Sequence, residues 1–214
     1  MLRIPRKSIL VLGAAAAVVA LTTTTALAAG DTDDSLSPAS TSFTVSNSGN
    51  ITFAGTLDGF SFTVTCTDVT MTAKTRASGL TASVTSNPDF HNAAKDCTDN
   101  HGGTDTVTSA GTWSLTEVDA ASDAHSTEPQ STGDQLTINI PNNGATFVSS
   151  FVPGCTVTAQ SSTPTSSSFN DMNSATYSSA TVNVTVSGFF CTTSPTATLS
   201  GTFTSSTNIG DLTT

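Results

Sequence analysis

The sequence predicts an all-β protein, a disulfide-stapled antiparallel β-sandwich of the immunoglobulin-like or a related type. Three observations lead to this prediction. Apolar residues recur at every second position through much of the 214-residue chain, which is the period of a strand with one buried face. After residue 28, no window shows apolar residues at helical spacing bounded by capping residues. Four cysteines follow an export signal, a combination typical of disulfide-stabilised secreted domains.

The clearest strand covers residues 60–66, where Phe or Val alternates with Ser or Thr and the run ends at Cys66. This spacing places the apolar side chains and the thiol on one face. After Thr67–Asp68 the apolar positions change parity, beginning at Val69. A flat strand that continued through this point would turn its core face to water. We therefore expect a turn or a β-bulge there.

Similar alternation predicts about ten short strands at near-regular spacing, the pattern of a sandwich or a barrel. Between two of these runs, Pro141–Asn142–Asn143–Gly144 predicts a hairpin turn, since Asn and Gly tolerate positive φ. Two polar segments without apolar periodicity, 117–134 and 160–176, are predicted to be long surface loops. The apolar positions that define the other strands are Phe43 and Val45; Ile51 and Phe53; Leu80, Ala82 and Val84; Val107, Trp113 and Leu115; Leu136, Ile138 and Ile140; Ala145 and Phe147; Cys155, Val157 and Ala159; Val182, Val184 and Val186; and Ala197, Leu199 and Phe203.

The first residues have the layout of a secretory signal. Basic residues precede the apolar run Ile9–Leu21, and small residues follow up to Ala28. Because a helix needs about 20 apolar residues to span a bilayer, we expect Sec-type cleavage near Ala28 and no transmembrane anchor. The predicted organisation is a signal peptide at 1–28, a flexible N-terminal segment at 29–40, a β-sandwich domain at 41–205 and a C-terminal tail at 206–214.

The charge balance is strongly acidic. The whole chain carries a net charge of −10. Without residues 1–28, only Lys74, Arg76 and Lys95 remain against sixteen acidic residues, which gives −13. A field of this sign repels nucleic-acid phosphates and anionic lipid surfaces and favours solubility. We therefore expect a secreted extracellular protein without a nucleic-acid partner.

The four cysteines, Cys66, Cys97, Cys155 and Cys191, are predicted to form two structural disulfides. Short Cys-Thr motifs and a Gly-Thr-aromatic motif recur in the same order in both halves of the chain. One interpretation is a diverged internal duplication, which favours pairing Cys66 with Cys97 and Cys155 with Cys191. Four cysteines allow three connectivities, and the sequence alone does not select one.

The motifs around these cysteines also carry a resemblance. They are Thr-Cys-Thr at Cys66, the segment Phe90–Cys97, Gly-Thr-Trp-Ser at Gly111, Gly-Cys-Thr-Val-Thr at Cys155, and the late Cys191 followed by Gly-Thr-Phe. Together with the Ala-rich signal and the acidic, Ser/Thr-rich strands, they resemble small exported β-rich proteins of actinobacteria. The resemblance implies a secreted β-rich fold and supplies no activity, substrate or catalytic residue.

Motifs of known catalytic sites do not occur in the chain. It lacks Gly-x-Ser-x-Gly, Ser-x-x-Lys and His-Glu-x-x-His, and its histidines all fall in predicted loops. His91, Asp99 and His101 belong to the densest polar cluster and are weak candidates for metal ligands, because imidazoles and carboxylates bind Zn²⁺ or Ca²⁺. Their spacing matches no known ligand pattern. We therefore expect no metal site, no cofactor and no catalytic residue.

The leading functional prediction is a secreted or cell-surface-associated, non-enzymatic β-sandwich protein that acts by binding or as a structural component. Its partner would be an extracellular or cell-wall ligand of unknown identity. Two alternatives stay open: a small extracellular hydrolase with loop-borne catalytic residues, and a disulfide-braced proteinase inhibitor with a loop near Phe90 or Phe151. Trp113 alternates with Leu115 and is predicted to pack in the core. The other interpretation is carbohydrate binding through an exposed Trp113 or Tyr177.

Overall fold

The computed structural model describes residues 36–90, 97–118, 134–170, 173–189, 191–192 and 194–211. The predicted signal peptide, 1–28, and two of the three histidines, His91 and His125, lie outside the described residues. The described chain consists of β-strands, turns and loops, which confirms the all-β class. Within the same residues, no helix is long and apolar enough to cross a membrane.

Fifteen strands occur among the described residues. In chain order they are β1 (Leu36–Ser37), β2 (Ser42–Leu57), β3 (Phe60–Cys66), β4 (Thr70–Thr75), β5 (Thr81–Asp89), β6 (Cys97–Asp99), β7 (Thr104–Ser109), β8 (Ser114–Val118), β9 (Gln135–Asn139), β10 (Ala145–Ser149), β11 (Thr156–Ala159), β12 (Ser168–Asn170), β13 (Ser174–Ser187), β14 (Thr196–Ser205) and β15 (Gly210–Asp211). The predicted strand at 60–66 is β3. The predicted change of parity lies between β3 and β4, where Cys66 and Val69 are both buried.

Eight strands close into a barrel. Their order around the ring is β2, β3, β6, β7, β10, β11, β13 and β14, and each is antiparallel to the next. Strand β14 completes the ring because it pairs with β13 on one side and with β2 on the other. The sheet has no free edge around this ring. The predicted sandwich of two separate sheets is therefore not confirmed, and a closed barrel takes its place.

Three long strands continue past the barrel: β2 with 16 residues, β13 with 14 and β14 with 10. The first residues of β2 pair with β4, and the sheet continues through β5, β8 and β9, while β12 flanks the start of β13. We call β4, β5, β8, β9 and β12 the extension. Tyr177, 1% exposed, is buried in its core, and Trp113, 4% exposed, packs where the extension meets the barrel. The Tyr177 hydroxyl donates a 2.9 Å hydrogen bond to the Leu136 carbonyl.

The long strands change register where they pass from the extension into the barrel. The β13–β14 ladder shifts between Tyr177 and Ala180, and the β14–β2 ladder shifts between Ser200 and Thr202. Gly201 lies at this point with φ of 139°, and a Cβ there would come within 2.5 Å of the Ile51 Cδ1 atom. Glycine is required because the backbone of β14 passes so close to β2.

Two local predictions differ from the structure. Pro141–Gly144 does form a turn, with Asn143 at φ of 56°, but its flanking strands do not pair: β9 pairs with β8 in the extension, and β10 with β7 and β11 in the barrel. The predicted surface loop 160–176 is also wrong. Ser162 and Ser166 are buried, and isolated bridges at Ser162 and Thr165 connect this segment to residues 140 and 137. Alternation does not reveal such a buried, irregular segment.

The segments at both ends of the described chain make ordered contacts. Strand β1 pairs with β15, and Leu36 and Ile209 are 1% and 2% exposed. These contacts fall within the segments 29–40 and 206–214 that the sequence predicts to be loose. The core therefore includes residues beyond the predicted domain 41–205.

Both favoured disulfides are present. Cys66–Cys97 joins neighbouring strands β3 and β6 and is buried, while Cys155–Cys191 joins the β10–β11 loop to the β13–β14 loop. The recurring motifs, however, lie in different settings: Gly111 follows β7 in a loop, whereas Gly201 lies inside β14. The structure thus confirms the connectivity and gives no support to an internal duplication.

The two disulfides should differ in accessibility. Cys66 and Cys97 are 0% and 1% exposed, whereas Cys191 is half-exposed. We expect mild reduction of the folded protein to open Cys155–Cys191 first, as measured by alkylation and mass spectrometry. Equal alkylation of all four cysteines in the native state would contradict this order.

The double variant Cys66→Ala/Cys97→Ala should lose about 3.5 kcal/mol of unfolding free energy, the loop-entropy value for this separation.

Candidate functional site

Four connections meet at one end of the barrel, which we call the mouth. They are the β2–β3 turn, the β6–β7 turn, the β10–β11 loop and the β13–β14 loop. The Asp58 N–H donates to the Thr192 carbonyl at 2.6 Å, and the Ser150 N–H donates to the Thr104 carbonyl at 3.0 Å. Cys155–Cys191 links the last two loops covalently. The four connections are therefore held against one another.

The barrel encloses an apolar space, which we call the barrel cavity. Its empty volume is about 660 Å³, including the space at its opening. Among the residues that line it are Phe53, Phe62, Val64, Phe147, Val157 and Ala197. Val157 and Ala197 are half-exposed although they lie on the inner face, and they are close to the mouth. This exposure places the opening of the cavity at the mouth.

Small residues on the inner face create this space. Gly55 of β2 lies beside Ala197 of β14, with 3.5 Å between the position of a Cβ on Gly55 and the Ala197 Cβ. Ala145 and Ala159 face each other across β10 and β11. An eight-stranded barrel has an interior that large side chains can fill completely, or that holds one small ligand when they do not.

Exposed aromatic side chains surround the mouth. Phe60 is 66% exposed, Phe151 47% and Phe189 89%. Each belongs to a different connection: Phe60 begins β3, Phe151 lies in the β10–β11 loop and Phe189 lies in the β13–β14 loop. Large apolar groups that share one end of a molecule mark a surface that meets a ligand or a partner.

A group of three polar side chains on the inner face, Asp99, Asp105 and Ser149, forms what we call the acid cluster. Asp99 Oδ1 accepts hydrogen bonds from the N–H groups of His101 and Gly103 at 2.8 and 2.7 Å. Ser149 Oγ donates to Asp99 Oδ2 at 3.0 Å. Burial raises the pKa of Asp99, but these hydrogen bonds and the His101 charge lower it further, so that the pKa lies below its usual value.

Asp105 is in the opposite situation. It is 1% exposed, and neither carboxylate oxygen has a hydrogen-bond partner among the described residues. Burial, and then the nearby charge of Asp99, raises the pKa of Asp105 to about 6, while the Ser149 hydroxyl lowers it by less. That hydroxyl has one proton, which it donates to Asp99. Asp105 is therefore a buried acid without a donor of its own.

His101 is held by stacking. Its ring lies 4.4 Å from that of Phe151, at 8° to its plane, and 6.0 Å from that of Phe62. Its Nε2 is 3.1 Å from the Ser61 carbonyl oxygen. The imidazole thus fixes the β6–β7 turn against β3 and the β10–β11 loop.

The weak metal candidates do not come together in the described structure. His91 lies outside the described residues, while Asp99 and His101 are occupied by the contacts above. In the part of the chain that the structure describes, no group of three or more His, Cys, Asp or Glu side chains could hold a metal ion.

The inward-facing positions of Asp105 and Ser149 were not predicted, although Asp99 belongs to the cluster of weak metal candidates. Asp105 precedes Val107 by two positions on β7, and Ser149 follows Phe147 by two positions on β10. Both therefore occupy the core face of an alternating strand. A polar residue at an apolar position was the signal that could have identified them. Gly55 and Ala197 gave no comparable signal, because only barrel closure brings them together.

Comparison with known proteins finds no matching family model, no similar curated protein and no similar solved structure.

The buried acid should make stability depend on pH. Because the pKa of Asp105 is about 6 in the folded protein and about 3.9 when unfolded, the native state binds more protons between these values. Stability therefore falls as pH rises from about 4 to 6. We expect a loss on the order of 2 kcal/mol between pH 4.5 and pH 7.5, measured by urea unfolding.

Asp105→Asn should remove most of this loss, since the amide has a similar volume and does not ionise. Asp58→Asn, in the exposed β2–β3 turn, is the matched control and should keep the wild-type profile. Asp99 acts in the opposite direction, because its lowered pKa stabilises the fold above about pH 4 and that contribution is lost in stronger acid. An unchanged pH profile in Asp105→Asn would contradict the assignment.

Proposed function

We propose that this protein is a secreted, non-enzymatic binding protein that holds a small apolar molecule in the barrel cavity. The observation that carries the proposal is an apolar cavity inside the closed barrel that opens at the mouth. Small-molecule sites are typically concave and lined mostly by apolar side chains, as this cavity is. Transfer of apolar ligand surface out of water would drive binding.

The surrounding structure favours a preformed site. Most of the lining residues lie on strands of the closed barrel, so their positions do not depend on a loop closing. The Cys155–Cys191 disulfide braces two of the four connections at the mouth. A preformed cavity costs little conformational entropy when the ligand binds.

Secretion is supported by features of the sequence and of the fold. Residues 1–28 have the layout of an export signal. The two disulfides are typical of proteins that fold in an oxidising compartment. A charge of −13 after removal of those residues favours solubility in the medium.

The alternatives from the sequence gain no specific support. The His101 ring contacts a backbone carbonyl and two aromatic rings, an arrangement suited to holding a turn and not to activating a serine. Phe90 is 5% exposed, which does not suit an inhibitory loop, and the exposed Phe151 is stacked against His101. Trp113 and Tyr177 are 4% and 1% exposed, so neither offers a surface platform for a sugar.

Filling the cavity should weaken binding. Ala197→Phe places a large side chain into the space beside Gly55, whereas Thr196→Phe places the same group on the exposed outer face. Titration with the uncharged fluorophore N-phenyl-1-naphthylamine should show binding to the wild type and to Thr196→Phe. For Ala197→Phe we expect at least about a tenfold weaker affinity, the equivalent of about 1.4 kcal/mol.

Circular dichroism would verify that Ala197→Phe is folded. Equal binding by both variants would place the fluorophore outside the cavity and refute the proposed function.

A further inference from the structure

We propose that the ligand of the barrel cavity carries a protonated amine, which pairs with the carboxylate of Asp105. The ligand class would be an apolar molecule with one cationic head, such as an alkylammonium. The inference rests on the proposed function and specifies the chemistry of its ligand.

The acid cluster and the cavity belong to the same inner wall. Asp105 lies directly opposite Ser149 in the β7–β10 ladder. Ser149 shares the inner face of β10 with Phe147, two residues away, and Phe147 lines the cavity. Asp99 lies opposite Val64, another lining residue. The acid cluster therefore borders the cavity through two lining residues: Phe147, two positions from Ser149 on β10, and Val64, opposite Asp99 across the β3–β6 ladder.

The polar part of this wall has acceptors that need a donor. Both oxygens of Asp105 are buried and have no hydrogen-bond partner among the described residues. A buried carboxylate without a partner is costly, so it either takes up a proton or pairs with a cation. The described lysine and arginine side chains, Lys74 and Arg76, lie on β4 or directly after it, in the extension. The described barrel strands thus place no lysine or arginine beside Asp105.

An organic ammonium fits this arrangement better than a metal ion. Ca²⁺ requires six to eight oxygen ligands, and Asp99 Oδ1 is already occupied by two N–H donors. An ammonium needs only a few acceptors, which the two oxygens of Asp105 provide. Its apolar chain would lie among Val64, Phe147 and the other lining side chains. The head and the tail of one molecule would then satisfy both parts of the inner wall.

The test compares ligands that differ only in their head group. Octylamine, 1-octanol and octanoate compete with N-phenyl-1-naphthylamine for the full-length protein at pH 8, where Asp105 is ionised. We expect octylamine to bind at least about tenfold more tightly than 1-octanol, the usual gain from a charge-assisted hydrogen bond. Octanoate should bind least tightly, since its carboxylate would face Asp105.

Two variants locate the effect. Asp105→Asn should bring octylamine and 1-octanol to nearly equal affinity while 1-octanol binding is retained. Asp58→Asn removes an exposed carboxylate at the mouth and should keep the preference for octylamine, which controls for general attraction of cations to an acidic protein. A preference that persists in Asp105→Asn would overturn the inference.

The pH dependence of the wild type provides a readout that does not require a variant to fold. The preference for octylamine should decrease by about tenfold between pH 8 and pH 5 as Asp105 takes up its proton. The other titratable groups near Asp105 are Asp99 and His101, while β3 and β10 contribute none that titrates. Comparison with Asp105→Asn isolates the contribution of Asp105 from that of these neighbours.

The outcomes distinguish the two proposals. Equal binding of octylamine and 1-octanol to the wild type would overturn the amine inference and leave the apolar binding function intact. No binding of any of the three compounds or of the fluorophore would overturn both.

Discussion

The two-sided pairing of β14 is the interaction on which the rest of the structure depends. This strand hydrogen-bonds to β13 and to β2, and these two ladders turn an open sheet into a closed ring. Closure removes the sheet edges and brings residues far apart in the sequence into one wall, such as Ala54 opposite Thr198. The mouth and the cavity exist because this ring is closed.

Closure also explains why the interior is not uniform. Where β2, β13 and β14 continue into the extension, Tyr177 is buried and its hydroxyl donates to the Leu136 carbonyl. Inside the barrel, Gly55 and Ala197 lie among larger lining side chains such as Phe147 and leave an apolar space. In the proposed function, this space is the part of the interior that receives the ligand.

Local sequence patterns predicted the strands because apolar residues at every second position indicate a strand with one buried face. The run at residues 60–66, the change of parity before Val69 and the core position of Trp113 all follow from alternation. The favoured disulfide pairing is confirmed as well, although the duplication that suggested it has no structural support. Cys66 and Cys97 are paired because β3 and β6 are neighbours in the ring.

The predictions that failed involve contacts between distant parts of the chain. Alternation is the same for a sandwich and a barrel, so it could not reveal that β14 returns to β2. Pro141–Gly144 has the residues of a hairpin turn, but its two strands belong to different parts of the sheet. Asp105 stood at an apolar position of β7, yet its burial without a donor follows only from the packing of β6, β7 and β10. Most of the proposed binding site depends on such contacts between distant parts of the chain.

The most direct test of amine binding in the barrel is a crystal structure of the protein grown with octylamine at pH 8. We predict an extended alkyl chain inside the barrel cavity, with its nitrogen about 2.8 Å from a carboxylate oxygen of Asp105. A structure in which the amine lies outside the barrel, or in which side chains fill the cavity, would contradict it.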